Sequence, residues 1–170
     1  MSGRPHSPGY GDRVIELRAA CAGDAEQVAA IWQQGWRDGH LGNVPDVLVE
    51  ARTPRTFRAR AAQRVPDTTV AVAGGEVAGF VMVVGDEVEQ VYVAAAHRGS
   101  GVAATLLAEA ERQVAAGGHR QAWLAVVPGN ARARRFYERS GWTDDGPFDY
   151  EAAHAGGVIP VPCRRYVKKV

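Results

Sequence analysis

Arg98-Gly99-Ser100-Gly101-Val102-Ala103 lies between an alternating run, Glu87–Val93 (EVEQVYV), and a stretch of strong helical character over 101–116. Its glycines let the backbone turn tightly and approach a ligand with no Cβ in the way. The N–H groups that open the following helix then converge on one concavity, an anion site suited to a pyrophosphate. Arg98 adds a fixed positive charge beside it. Gly99, Gly101 and Ala104 also satisfy the dinucleotide fingerprint G-x-G-x-x-G/A. Two features oppose that reading. Residues 94–97 separate strand from loop, and the next strand ends Ala125-Val126-Val127 where an acidic residue is required. A phosphate P-loop fails as well, because no Gly-Lys-Ser/Thr follows.

Working outward, the chain divides at its turn residues. Residues 13–18 (RVIELR) alternate and predict a first strand. Asp24, with Gln27 in capping-box spacing, predicts the start of a helix. Val28, Ile31, Trp32 and Trp36 continue it at helical intervals, and it ends near Gly39. Residues 40–46 read as a loop and 56–63 as a second helix. Thr68–Ala73 and Glu76–Val84 flank Gly74-Gly75 as a hairpin. Gly85-Asp86 turns the chain into Glu87–Val93. After the 101–116 helix, residues 121–127 form a strand and 131–140 a short helix closed by Gly141. Gly156-Gly157 separates two final extended stretches, the last over 161–168. The order βααβββαβαββ predicts a mixed α/β domain around one central sheet.

Composition narrows the function classes. The 170 residues suit a single domain over 13–170, preceded by a disordered lead-in over 1–12 rich in Gly, Pro and Ser. The lead-in lacks the apolar core of a signal peptide. The longest apolar run, 77–84, is too short to span a bilayer. A net charge of +1, from 20 basic and 19 acidic residues, is a poor footprint for nucleic-acid binding. Cys21 and Cys163 make neither a disulfide framework nor a metal motif and read as free thiols in a reducing cytoplasm.

Asn130-Ala131-Arg132-Ala133-Arg134-Arg135-Phe136-Tyr137-Glu138-Arg139-Ser140-Gly141-Trp142 follows the 121–127 strand. Together with the Arg98–Ala103 loop it resembles the GNAT (GCN5-related) superfamily of N-acetyltransferases. In that superfamily Arg/Gln-x-x-Gly-x-Gly/Ala marks the cofactor pyrophosphate loop. Asn-x-x-Ala-x-x-Phe-Tyr-x-x-x-Gly-Phe/Trp marks the second half of the site. The resemblance spans 68–142 in order and spacing. It implies an α/β GNAT fold: a single domain with a central, mostly antiparallel mixed sheet, helices on its flanks, and two adjacent parallel strands that splay apart. Acetyl-CoA would lie in the splay, paired with free backbone groups like an added strand.

The resemblance also assigns residues. Val91, Tyr92 and Val93 would hold the acetyl and pantetheine end through their backbone. Gly99, Ser100, Gly101, Val102 and Ala103 would hold the pyrophosphate, with Thr105 adding a hydroxyl. Asn130 and Ala133 would meet the pantetheine arm. Tyr137 corresponds to the general acid; a phenol stays protonated at neutral pH and can protonate a departing thiolate. Its competing role is packing on a short helix. The amine must lose a proton before attack. Glu87 and Glu89, two apart on one strand face, are the candidate bases, with Glu89 preferred as nearer the thioester beside Val91. Their alternative is a solvated strand edge. Trp32, Trp36 and His40 would line the acceptor side, although a helical Trp pair four apart is more often core than a cage for a cation. His40 is a further candidate base, and His97 reads as a surface residue. Arg132, Arg134 and Arg135 suit either the ribose phosphate or solvent. The acceptor pocket would come from 33–60 and 144–161.

The expected reaction is direct acetyl transfer from acetyl-CoA to a primary amine, without metal, membrane or nucleic acid, in a chain free to form a homodimer. A catalytically silent acyl-CoA-binding module is the first alternative and a dinucleotide-dependent oxidoreductase the second.

Overall fold

The β-branched runs on either side of Gly74-Gly75 do form a hairpin, and a seven-stranded sheet is built around it. A computed structural model describes residues 14–170. The lead-in expected over 1–12, with Arg13, lies outside the described residues. The strands are β1 (Glu16–Ala19), β2 (Thr68–Ala73), β3 (Glu76–Val84), β4 (Glu87–Val93), β5 (Gln121–Val126), β6 (Thr143–His154) and β7 (Gly157–Lys169). The helices are α1 (Ala25–His40), α2 (Asp46–Ala51), α3 (Pro54–Gln63), α4 (Val102–Ala116) and α5 (Ala131–Arg139). The sheet order is β1-β2-β3-β4-β5-β7-β6. Every neighbouring pair is antiparallel except β4 and β5.

That parallel pair positions the site. It is joined through one register partner, Glu87 with Trp123. Asp86 reinforces the joint: its carbonyl accepts from Trp123 N–H and its carboxylate from the Trp123 indole, both at 3.0 Å. Beyond this rung the strands diverge, and the facing backbone groups of β4 and β5 are left without sheet partners. A second irregularity falls on the same strand. Met82 pairs with Gln90 but Val83 pairs with Val88, so Glu89 has no partner of its own and marks a bulge.

Apolar alternation then fills both faces of the sheet. On one face Trp32 of α1 packs against Phe57 of α3 and Phe80 of β3, with ring centroids 5.7 and 5.9 Å apart. On the other face Leu106, Leu107, Ala110 and Val114 of α4 pack with Val81, Val88, Leu124 and Tyr166. Each α4 residue recurs at three or four positions, the spacing of one helix face.

Several local expectations are corrected. Asp24 does stand at the N-cap of α1, but its side chain makes no cap bond there and instead accepts from the Cys21 N–H at 2.8 Å. Asp24 is buried and accepts two guanidinium hydrogen bonds from Arg18, at 2.7 and 3.0 Å. Gln27 instead accepts from the Val77 N–H at 3.2 Å, tying α1 to β3. The loop expected over 40–46 is followed by the additional helix α2. Within the described part of the stretch expected as the opening strand, β1 begins at Glu16, after Val14 and Ile15. His97 is buried at 9% exposure, not on the surface.

Candidate active site

α1 crosses the splay closely because it carries glycine where it touches β4. A Cβ on Gly35 would overlap the Tyr92 ring, and one on Gly39 would stand 2.8 Å from Asn130 Nδ2. Gly35→Ala therefore gains helix propensity of about 1 kcal/mol yet forces the Tyr92 ring aside, an overpacking cost of about 1–3 kcal/mol. The expected net result is a lower urea midpoint at unchanged m-value. A higher midpoint would show that the Tyr92 ring is free to move.

The crossing leaves a cleft of about 820 Å³. Its walls are α1 (Gly35, Trp36, Gly39, His40), the α2–α3 segment (Arg52, Arg60, Arg64), β4 (Glu87 to Tyr92), β5 (Leu124 to Val126) and α5 (Ala133, Tyr137). The β6–β7 hairpin closes it with Tyr150, Val161 and Cys163. Of the site residues read from the sequence, Glu87, Glu89, Val91, Tyr92, Asn130, Ala133 and Tyr137 line this cleft, while Val93 and the loop from Arg98 to Thr105 do not. Trp36 and His40 line the cleft, whereas Trp32 is fully buried behind the wall.

Beyond β4 the chain enters the glycine loop. Gly99 and Gly101 take φ of +76° and +83°, backbone that side-chain-bearing residues rarely adopt. The first N–H of α4 to bond back is that of Thr105, to the Gly101 carbonyl at 3.1 Å. The N–H groups of Val102, Ala103 and Ala104 therefore have no place in the helix ladder and form a positive helix end. The Thr105 hydroxyl donates to the same Gly101 carbonyl at 2.9 Å, and the Ser100 hydroxyl donates to the His97 carbonyl. Arg98 reaches away from the loop to Asp38 of α1, at 2.7 Å. Arg134 is held by the Tyr166 hydroxyl and the Pro128 carbonyl, each at 3.2 Å, while Arg132 and Arg135 are exposed.

The titratable groups in the cleft have distinct environments. Asn130 caps α5 by accepting from the Ala133 N–H at 3.2 Å. This positions Tyr137 two turns along, between Trp142 and Tyr166. Burial pushes the Tyr137 phenol up to about 12, so it remains a donor throughout the neutral range. Glu87 faces the cleft and accepts from the Tyr150 hydroxyl at 2.7 Å. Burial raises its carboxyl above the ordinary carboxylate range, partly opposed by that hydrogen bond. Glu89 is held differently. Arg64 grips both of its oxygens, at 2.5 and 2.8 Å. The shared face expected of the two glutamates is thus present, but one of them is committed to an ion pair. His40 stacks on Trp36 and donates from Nδ1 to the Trp36 carbonyl at 2.9 Å; burial lowers its imidazole to about 4, leaving it neutral. The Cys163 thiol is pushed up to about 11 by burial and is not a ready nucleophile.

Arg52, Arg60, Arg64 and Tyr150 carry no local motif and were not singled out in the sequence. Their only sequence signal is membership in the two segments, 33–60 and 144–161, expected to border the acceptor, and Arg64 falls outside even these.

The arrangement fits an extended, amide-bearing ligand with an anionic tail. Unpaired strand edges meet the amides, and the open glycine loop with the α4 end meets the anion. Fold and cleft together define a class of α/β protein that takes its ligand between splayed parallel strands. The chain belongs to the acetyltransferase (GNAT) family, whose model matches residues 26–142. Solved structures agree on the fold. One is a GCN5-related N-acetyltransferase from Rhodopseudomonas palustris, 20% identical, with a TM-score of 0.72 over 95% of this chain and 100% of that one. Another is the PaiA N-acetyltransferase of Thermoplasma acidophilum in complex with coenzyme A, 18% identical, TM-score 0.68, covering 92% and 99%. A third is yncA of Salmonella typhimurium with its cofactor acetyl-CoA, 19% identical, TM-score 0.65, covering 92% and 94%. No curated protein matches the chain. Among the described residues no helix is long and apolar enough to cross a membrane.

Proposed function

We propose that the protein is an N-acetyltransferase that moves an acetyl group from acetyl-CoA to a primary amine. The observation that carries the reading is a β4 edge left unpaired at the splay, with a protonated Tyr137 and Glu87 lining the same cleft and the Gly99–Ala103 loop following that strand. Val91 to Val93 and Asn130 hold the pantetheine arm, and the N–H groups of the loop and of α4 hold the pyrophosphate. Acetyl-CoA supplies an acetyl group already activated as a thioester, so holding two partners in register is the larger share of the catalysis.

The chain's own residues then manage two protons. Glu87 receives the one shed by the acceptor amine. Its raised carboxyl suits it better than an ordinary carboxylate, since a base works best with a pKa near the operating pH. The preference for Glu89 is accordingly revised: a carboxylate gripped at both oxygens by Arg64 would have to break two charge-assisted hydrogen bonds first. Tyr137 presents its O–H to the departing thiolate. His40, neutral and stacked, forms part of the acceptor wall.

Coenzyme A at 100 times its dissociation constant is expected to stabilise the protein by about 2.7 kcal/mol. Gly101→Asp should remove that shift, because it strains a left-handed position and sets a carboxylate against the pyrophosphate. Differential scanning fluorimetry with and without coenzyme A measures both. An undiminished shift in the variant would place the anion site elsewhere, and a shift with a nicotinamide cofactor alone would select the oxidoreductase reading.

A further inference from the structure

The wall of the cleft that faces the glutamates carries three arginines in unequal situations. Arg64 is committed to Glu89 and to Asp67, the latter at 3.0 Å. Arg52 and Arg60 have no carboxylate partner among the described residues. Arg60 lies over the buried Trp32 ring, 4.4 Å from its centroid, which fixes the guanidinium and removes it from water. Arg52 has its Nε buried without a hydrogen-bond partner. Burial lowers both guanidinium groups, Arg60 to about 10, and the two repel each other.

A half-buried cation without a counter-charge is costly, and such groups are normally paired. On the opposite side Glu89 is already neutralised and Glu87 is held by Tyr150; Glu151 is exposed on β6 at the hairpin. The Tyr150 hydroxyl leaves the Glu87 charge in place, so two unpaired guanidinium groups stand against one unpaired carboxylate facing the cleft, and the balance is positive. Two planar guanidinium forks match the geometry of a carboxylate or phosphonate and repel a second ammonium. We propose that Arg52 and Arg60 form the acceptor's anion site, so that the substrate is a small amine that also bears an oxyanion, in the manner of an amino acid. The proposal rests on the acetyl-transfer reading above. It places the amine toward Glu87 on β4 and the oxyanion toward α2 and α3.

The probes are the L-α-amino acids, each against its own carboxamide, with aminoalkylphosphonates and spermidine alongside. Coenzyme A release is followed at fixed acetyl-CoA. Binding of each probe to the coenzyme A-loaded protein is followed by calorimetry. A member of the oxyanion set should be used with kcat/KM about 10²-fold above its amide and above spermidine, the scale of one lost bidentate charged hydrogen bond. Arg52→Gln and Arg60→Gln should each bring the acid down toward the level of its amide. Both variants should keep the coenzyme A-induced rise in melting temperature, which shows that they fold. Amides or spermidine used as well as acids, or a preference that survives in both variants, would overturn the proposal. Acid binding that the variants lose, without transfer to any amine, sustains the anion site and sinks the transferase reading. Indiscriminate transfer to amides and spermidine does the reverse, and absence of acid binding overturns the anion site outright.

Discussion

Glu87→Gln should lower turnover at pH 7 by about 10²-fold or more, the usual scale for loss of a positioned base. The substitution keeps the shape of the side chain and its contact with the Tyr150 hydroxyl while removing only the basicity. The sign with pH follows from burial. The Glu87 carboxyl is raised, so the carboxylate that accepts the proton is lost as pH falls through that raised value. The native rate should therefore rise with pH through a step lying above the ordinary carboxylate range, and Glu87→Gln should lack that step. Part of the lost rate should return near pH 9.5, roughly where an alkylamine of pKa about 10 begins to shed its own proton. Initial rates across pH with one accepted amine make the test. Loss of the step in Glu89→Gln, with Glu87→Gln unchanged, would transfer the role to Glu89 and mean that Arg64 releases it during turnover.

Tyr137→Phe should lower turnover by about 10²-fold while leaving coenzyme A affinity little altered. The ring keeps its packing against Trp142 and Tyr166, so only the hydroxyl is removed. Since burial holds the phenol up to about 12, the native enzyme should show no loss of rate from this group below pH 10. Stopped-flow measurement of thiol release, with coenzyme A binding measured separately, distinguishes a lost donor from a distorted site. A near-native rate would mean that water or the ammonium itself protonates the thiolate.

The two glutamates show where sequence reading ends. β2 to β5, α4 and α5 are legible because their boundaries are local: a Gly-Gly turn, a Gly-Asp turn, a helix closed by glycine. The glycine loop before α4 and the Asn130–Trp142 segment are legible as local structure for the same reason, since each lies within one turn or helix. The status of Glu89 depends on Arg64, 25 residues earlier, and that of Glu87 on Tyr150, 63 residues later. No periodicity links such pairs. The bulge at Glu89 is equally hidden, because it arises from registration against β3 rather than from any residue of β4. α2 is missed for a local reason. Its six residues include Val47 and Val49, β-branched and weak in helices, and only Asp46 behind Pro45 hints at a start. The arginines of the acceptor wall have meaning only once α2 and α3 stand against β4.

The single rung at Glu87 and Trp123 also bears on how the molecule carries mechanical load. The sheet is two blocks, β1 to β4 and β5 with β7 and β6, riveted at one end and open at the other. Packing of α4 spans both blocks on one face, so the two remain joined there where the strands part. A ligand that laces the open edges adds rungs where the sheet has none and closes the seam into a continuous plate. On the acetyl-transfer reading, the order of this seam is therefore expected to depend on whether the carrier is bound.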